Sequence, residues 1–175
     1  LLSIETQYHE ALSVHSPTHR KESRLRAMEL FQQLGFSSPQ DVLRKRPFEL
    51  SGGMCQRAAI AIAMANTPRL LLADEPTSAL DVASQKDVME LLKSIQKKRG
   101  TTILLVTHNM SIVSRYADEV GIMYHGHLVE WGDCKEVLND PRHAYTQMLL
   151  DAVPHLDGRL PDVRHPMREV LSIGS

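Results

Sequence analysis

Leu70-Leu71-Leu72-Ala73-Asp74-Glu75-Pro76 is the stretch on which the fold turns. Four consecutive apolar residues lead into two adjacent carboxylates and a proline. A continuous apolar run, rather than an alternating one, is the pattern of a strand covered on both faces, as in a parallel sheet with helices on each side. Pro76 fixes its φ and offers no amide hydrogen, so the strand gives way to a turn there. Both carboxylates then lie at the C-terminal edge of the sheet, where open α/β folds hold their ligands. Taken alone, the run reads as a strand followed by an acidic turn.

Working downstream, residues 101–106 form a second apolar run rich in β-branched side chains. Val88, Leu91, Leu92 and Ile95 mark one face of a crossover helix between the two runs, and Gly100 is placed to stop it. Strand, helix and strand make an α/β unit. A helix over residues 110–116 follows, then strands over 120–124 and 128–131 about His125-Gly126, then helices over 135–138 and 145–153. From residue 155 to 175 the composition is polar and proline-punctuated, and it reads as a loosely held tail.

Upstream, residues 58–65 are apolar at every position, which predicts a helix buried on nearly all sides. Ile4, Tyr8, Ala11 and Leu12 form a helical stripe, and Ala27, Leu30, Phe31 and Leu34 repeat it. The segment around Pro17 separates the two helices, and Gly35 sits where the second stops. Ser38-Pro39 opens a third, a capping hydroxyl followed by proline at the first helical position, which ends before Pro47. The expected organisation is a helical subdomain over residues 1–50, an α/β core over 51–154 and the tail.

Bulk properties narrow the function. Net charge is −1 with the signs interspersed, against the basic excess or stripe of a nucleic-acid binder. No run approaches the roughly 20 apolar residues that span a bilayer, so membrane association is expected to go through a partner. Cys55 and Cys134 have neither pairing nor metal-ligand spacing, which fits a reducing compartment. Leu1-Leu2-Ser3-Ile4-Glu5 resembles neither a signal peptide nor a natural start, and reads as a cut end.

Four segments carry chemistry. In Leu50-Ser51-Gly52-Gly53-Met54-Cys55-Gln56, a serine and two glycines open a helix whose free amides and positive dipole end favour an anion. The same residues also serve as a cap and a tight turn. Asp74 suits Mg²⁺, which keeps part of its hydration shell, and Glu75 can orient or deprotonate a water attacking a γ-phosphate. In Ser78-Ala79-Leu80-Asp81, Asp81 is placed to cap the crossover helix. In Thr107-His108-Asn109, a histidine at a strand's end can donate to a phosphate oxygen, although a lone histidine there is more often structural.

Together, in this order, the segments resemble the ABC ATPase family: Leu50 to Gln56 its signature motif, Leu70 to Glu75 its Walker B strand, Ser78 to Asp81 its D-loop and His108 its switch histidine. The resemblance implies a P-loop NTPase-like (RecA-like) ABC ATPase core of the α/β class with an inserted helical subdomain. It implies Glu75 and His108 as catalytic residues, Asp74 as the Mg²⁺ ligand, and Ser51, Gly52, Gly53, Gln56 and Asp81 as the nucleotide-contacting set. The cofactors implied are ATP and Mg²⁺. The partners implied are a second ATPase subunit facing the first across two ATP, membrane permease subunits and, indirectly, a solute-binding protein, with no nucleic acid. The implied place is the cytoplasmic face of the membrane. Pro141-Arg142-His143-Ala144-Tyr145-Thr146, with Leu149-Leu150 and Ala152-Val153-Pro154, is similar to the C-terminal pattern of importers for dipeptides, oligopeptides and nickel. The competing class is a soluble ABC ATPase of DNA repair or translation.

The sequence departs from the family pattern in one large respect. It contains no Gly-x-x-x-x-Gly-Lys-[Ser/Thr] and no Gly-Lys dipeptide, so the amide cradle and lysine that meet the β- and γ-phosphates are not among these residues. The core is therefore expected to be incomplete, inactive alone, and open along an apolar edge. Cys55 stands where this subgroup usually carries arginine, and Ala144 replaces a common proline. His125-x-His127, on a hairpin, reads as solvated side chains rather than a metal site.

Overall fold

The structure, a computed structural model, describes residues 2–14 and 17–152. The tail expected over residues 155–175, and Val153-Pro154 before it, lie outside the described residues. The chain divides into two compact units, one running to His108 and the other starting at Asn109.

The first unit begins with the helical segment. Helices α1 (Ile4–Ser13), α2 (Arg20–Gln33) and α3 (Pro39–Arg44) form where the periodicity places them. Ser3 caps α1, its hydroxyl accepting from the Thr6 amide at 3.3 Å. The two stripes face each other. Tyr8 meets Phe31 edge-on at 6.3 Å between ring centroids, and Phe31 stacks on Phe36 at 5.0 Å. Tyr8, Phe31, Ile4 and Leu43 are fully buried. Burying aromatic and aliphatic side chains of this size stabilises by roughly 2 kcal/mol each, which is what lets three short helices hold together.

A 3₁₀ turn (Pro47–Glu49) leads to α4 (Gly52–Ala63), which packs on α1 and α2 through Ala58, Ile60 and Ala61. Burial on nearly all sides was expected, but Ala59 and Ala63 are exposed. An alanine loses little by facing water, so an alanine-rich run does not require the all-round cover that a leucine-rich one does.

Strands β1 (Leu70–Asp74) and β2 (Thr102–Val106) pair in parallel, Leu70 opposite Thr102 and Asp74 opposite Val106. Helix α5 (Val82–Arg99) joins them, burying Val88, Met89, Leu91, Leu92 and Ile95. Gly100 ends α5 in the left-handed region at φ 64°, donating its amide to the Gln96 carbonyl. The sequence predicted cover on both faces of the strands. One face is covered and the other is bare: Leu71 is 7% exposed, while Leu72 is 67% and Leu104 50% exposed. The pleat sends alternate side chains to opposite sides, and α5 lies on only one of them.

The second unit comprises α6 (Met110–Tyr116), an antiparallel hairpin of β3 (Glu119–Tyr124) and β4 (His127–Asp133), α7 (Cys134–Asn139) and α8 (Ala144–Asp151). His125 and Gly126 both have positive φ, 45° and 81°, which is the turn that matches the twist of a two-residue hairpin. Val113, Val120, Ile122, Cys134 and Val137 form its core. Burial pushes the Cys134 thiol up, in keeping with an inert core cysteine. Glu130 of β4 accepts the Arg142 amide at 2.8 Å and the His143 amide at 3.1 Å, tying the approach to α8 back onto the hairpin. No helix among the described residues is long and apolar enough to cross a membrane.

Candidate functional site

Two parallel strands joined by a crossover helix end at the same edge, so residues distant in sequence meet there. Asp74 is the last residue of β1, level with Val106, and is exposed to solvent. Glu75 follows with φ 43°, a left-handed conformation uncommon outside glycine, asparagine and aspartate. Its amide donates to the Val106 carbonyl at 2.9 Å, which holds the residue against the end of β2.

Its side chain turns to the same place. One carboxylate oxygen, Oε1, accepts from the His108 backbone amide at 2.9 Å and lies 2.6 Å from His108 Nδ1. An ionised carboxylate only accepts, so Nδ1 carries the hydrogen of that contact and Nε2 is left for another partner. The hydrogen bond from His108 is the main cause holding the Glu75 carboxyl below its usual range. The His108 ring is 82% exposed and the Glu75 side chain 31%, so the pair is open to a ligand. Strained backbone at a strand end, held by neighbours on both sides, is a recurrent feature of functional sites.

A second group forms where two helices begin. Ser51 caps α4, its hydroxyl accepting from the Met54 amide at 3.4 Å. Asp81 caps α5 with both oxygens, Oδ1 accepting from the Ser84 amide at 2.9 Å and Oδ2 from the Ser84 hydroxyl at 2.7 Å. The Ser84 backbone amide is the leading reason that the Asp81 carboxyl sits below its usual range. The two caps adjoin. A Cβ at Gly52 would lie 3.3 Å from Leu80 Cδ2, and one at Gly53 would lie 3.1 Å from Ser84 Oγ. The glycines therefore have a steric reason to be small that is independent of any ligand. Gln56 lies in the second turn of α4, half-buried.

Apart from Gln56, the predicted site residues thus fall into two groups, Asp74, Glu75 and His108 at the strand ends, and Ser51, Gly52 and Gly53 beside the segment ending at Asp81. The short segment from Pro76 to Leu80 joins them. Sequence reasoning missed Ser84 and Gln85, which hold that segment. The only signal for Ser84 was its position three residues after a capping aspartate, where the capped amide is expected. Gln85 gave none. Arg57, stacked 5.0 Å over Phe36, was likewise unforeseen and fastens α4 to the helical segment. Among the described residues no group of three or more histidine, cysteine, aspartate or glutamate side chains is placed to hold a metal, which leaves His125 and His127 without a third ligand.

Comparison with known proteins gives two family matches: the ABC transporter family over residues 2–78, and the oligopeptide/dipeptide transporter C-terminal region over residues 129–172. The first match contains the signature segment, Asp74 and Glu75; Asp81 and His108 lie between the two matches. The oligopeptide transport ATP-binding protein AppD of Bacillus subtilis is 45% identical over 160 residues, covering 91% of this chain and 49% of that protein. The dipeptide transport ATP-binding protein DppD of Escherichia coli is 44% identical over 152 residues, covering 87% and 46%. The chain spans about half the length of these relatives. Among solved structures, an inward-facing putative metal-chelate type ABC transporter superposes with a TM-score of 0.73 at 25% identity, over 85% of this chain and 57% of that one. The dimeric post-hydrolysis state of the ATP-binding cassette MJ0796 bound to ADP and Pi gives 0.65 at 29%, over 77% and 57%. The P-loop NTPase-like α/β core expected from the motifs is the fold these neighbours share with the chain.

Proposed function

The chain belongs to the ABC transporter family, and from that membership we propose that it acts in the ATP-binding, ATP-hydrolysing subunit of an importer for peptides. The meeting of Glu75 and His108 carries the reading: residues 33 apart in sequence come within 2.6 Å at the shared edge of two parallel strands. The match over residues 129–172 favours peptide uptake over a soluble role in DNA repair or translation.

On this reading Glu75, an ionised carboxylate at neutral pH as an ordinary glutamate is, accepts a hydrogen bond from the attacking water and aligns it with the γ-phosphate. His108 keeps Nδ1 on Glu75 and offers Nε2 to a γ-phosphate oxygen, orienting water and phosphate from one anchored pair. Asp74 fits Mg²⁺, since that ion takes one or two carboxylates together with phosphate oxygens and water rather than an all-protein cage. Held there by Asp74, Mg²⁺ would supply positive charge against the phosphate oxygens. Ser51, Gly52, Gly53 and Gln56 contact the nucleotide of a second subunit, through the free amides and positive end of α4. Asp81, in contact with that turn through Ser84, carries communication between the two sites. The glycine-lysine phosphate cradle is not among these 175 residues.

The partners on this reading are a second ATPase subunit, permease subunits and, through them, a solute-binding protein, and the place is the cytoplasmic face of the membrane. The test is ATP hydrolysis by the full-length subunit, reconstituted with its permease in vesicles and challenged with short peptides. Hydrolysis coupled to peptide accumulation is expected. Hydrolysis without peptide dependence removes the peptide assignment, and absence of hydrolysis removes the ATPase.

A further inference from the structure

Between Glu75 and Asp81 the chain makes two successive tight turns. The Ser78 amide donates to the Glu75 carbonyl and the Leu80 amide to the Thr77 carbonyl, both at 3.2 Å, and the Ser78 hydroxyl adds a bond to the Glu75 carbonyl at 3.1 Å. Pro76 and Thr77 are buried, whereas Ser78, Ala79 and Asp81 are exposed. A loop of this kind, with an exposed tip and two turn bonds, belongs to the easily opened part of a structure unless something else holds it.

Gln85 holds it. From the end of the first turn of α5, its side-chain nitrogen Nε2 donates to the Thr77 carbonyl at 3.3 Å and to the Leu80 carbonyl at 3.1 Å. Both facing atoms are acceptors, so only the NH₂ end of the carboxamide fits, and both of its hydrogens are used. The Gln85 amide itself donates to the Asp81 carbonyl at 2.8 Å, so the side chain springs from a residue already fixed in the helix. One carboxamide thus grips the loop at two points, each within two residues of a functional residue. Thr77 lies two residues after Glu75, and Leu80 lies next to Asp81.

We propose that Gln85 is a positioning residue for the nucleotide site, fixing through the Thr77 and Leu80 carbonyls the loop that carries Glu75 at one end and Asp81 at the other. The proposal rests on the functional reading above and adds to it a side chain that touches neither nucleotide nor reacting atoms. Gln85→Leu removes both donors at similar volume. Gln85→Glu keeps the shape but turns carboxylate oxygens toward two carbonyl oxygens, replacing two attractions with repulsion, and it is the more harmful of the two.

The experiment combines amide hydrogen exchange with steady-state ATP hydrolysis in the full-length subunit. In Gln85→Leu the Ser78 and Leu80 amides exchange about tenfold faster, as loss of a part-buried hydrogen bond predicts. Amides in the middle of α2 and α5 keep their rates. In the same variant kcat falls roughly tenfold while ATP affinity in a binding titration holds, and Gln85→Glu lowers kcat further. A purely structural role would lower the melting temperature and leave kcat per folded molecule unchanged. Unaltered exchange in the loop overturns the proposal, as does a loosened loop with wild-type kcat. A wild-type subunit that hydrolyses no ATP sinks the functional reading and this role with it, whereas an active wild type with unaffected variants sinks this role alone.

Discussion

Strands β1 and β2 run parallel and are joined by the 18-residue helix α5, whereas β3 and β4 run antiparallel and are joined by His125 and Gly126 alone. The long connection returns the chain to the same end of the sheet, so each strand delivers its following residues to one edge. Glu75 and His108 meet there. The hairpin folds back on itself, so its partners are near in sequence, and its product is a small closed core around Val120 and Ile122. The two pairs are alike in cover, each with one face buried and one bare. Leu71 in β1 and Ile122 in β3 are 7% and 5% exposed, whereas Leu72 in β1 and Trp131 in β4, on the opposite faces, are 67% and 60% exposed. On the proposed function the parallel pair organises chemistry, and the antiparallel pair organises packing. Connection geometry, more than strand composition, separates the two roles.

The sharpest way to break this contrast is Glu75→Gln in the full-length subunit. Losing the carboxylate is expected to lower ATP turnover by roughly 10²- to 10⁴-fold with nucleotide binding retained, the range associated with a positioned acid or base. A drop below tenfold, measured by phosphate release, would place the chemistry elsewhere than at the parallel edge.

Packing is probed next. Ile122→Ala in the hairpin is expected to cost about 2–5 kcal/mol, since it removes buried methyl groups and leaves a cavity. Leu72→Ala in this chain is expected to change stability by less than about 0.5 kcal/mol, as for an ordinary surface position. Urea melts of the two variants decide the matter, and equal costs would mean that β1 has no bare face. A smaller effect is expected at the turn. Gly126→Ala meets no neighbouring atom but must adopt φ 81°, so strain of about 1 kcal/mol is its whole cost. A variant as stable as wild type would show the turn to have relaxed into another form.

The subtlest measurement is pH titration. Glu75, held chiefly by His108, and Glu130, held chiefly by the Arg142 amide, both have carboxyls lowered from the ordinary value. For such groups the stabilising contribution is fully present above the unfolded-state pKa, and it is lost as pH falls through the lower, folded-state value. Loss is therefore expected on the acid side of about pH 4, with none near neutrality. In His108→Ala the Glu75 carboxyl titration followed by NMR should move up toward the ordinary value while that of Glu130 stays in place. If both move, or neither does, the two regions do not hold their carboxylates independently by the groups named.

Much of this was legible from residue order. The apolar run ending at Asp74-Glu75, the amphipathic stripe from Val88 to Ile95 and the β-branched run before Thr107 are local patterns with short-range causes, and they placed β1, α5 and β2 correctly. Capping chemistry placed Asp81 at the start of α5 for the same reason. What residue order left open was cover and grip. A run of leucines does not record whether anything lies on its second face, and alanines in α4 look buried on any scale that counts apolar atoms alone. The left-handed backbone of Glu75 and the double grip of Gln85 were equally invisible, because each is a relation to atoms supplied by another part of the loop or sheet.

By itself, then, the amino-acid order determined which segments become helix or strand, that the first strand pair is parallel, and which polar residues stand at its ends, because those outcomes follow from periodicity, caps and breakers within a few residues. Only the tertiary structure decided that Glu75 points its carboxylate at His108, that Gly53 and Ser84 share one tight space, and that Gln85 holds the loop between Glu75 and Asp81. Distances and hydrogen-bond partners across a fold depend on how elements pack, and packing is set by all the side chains at once.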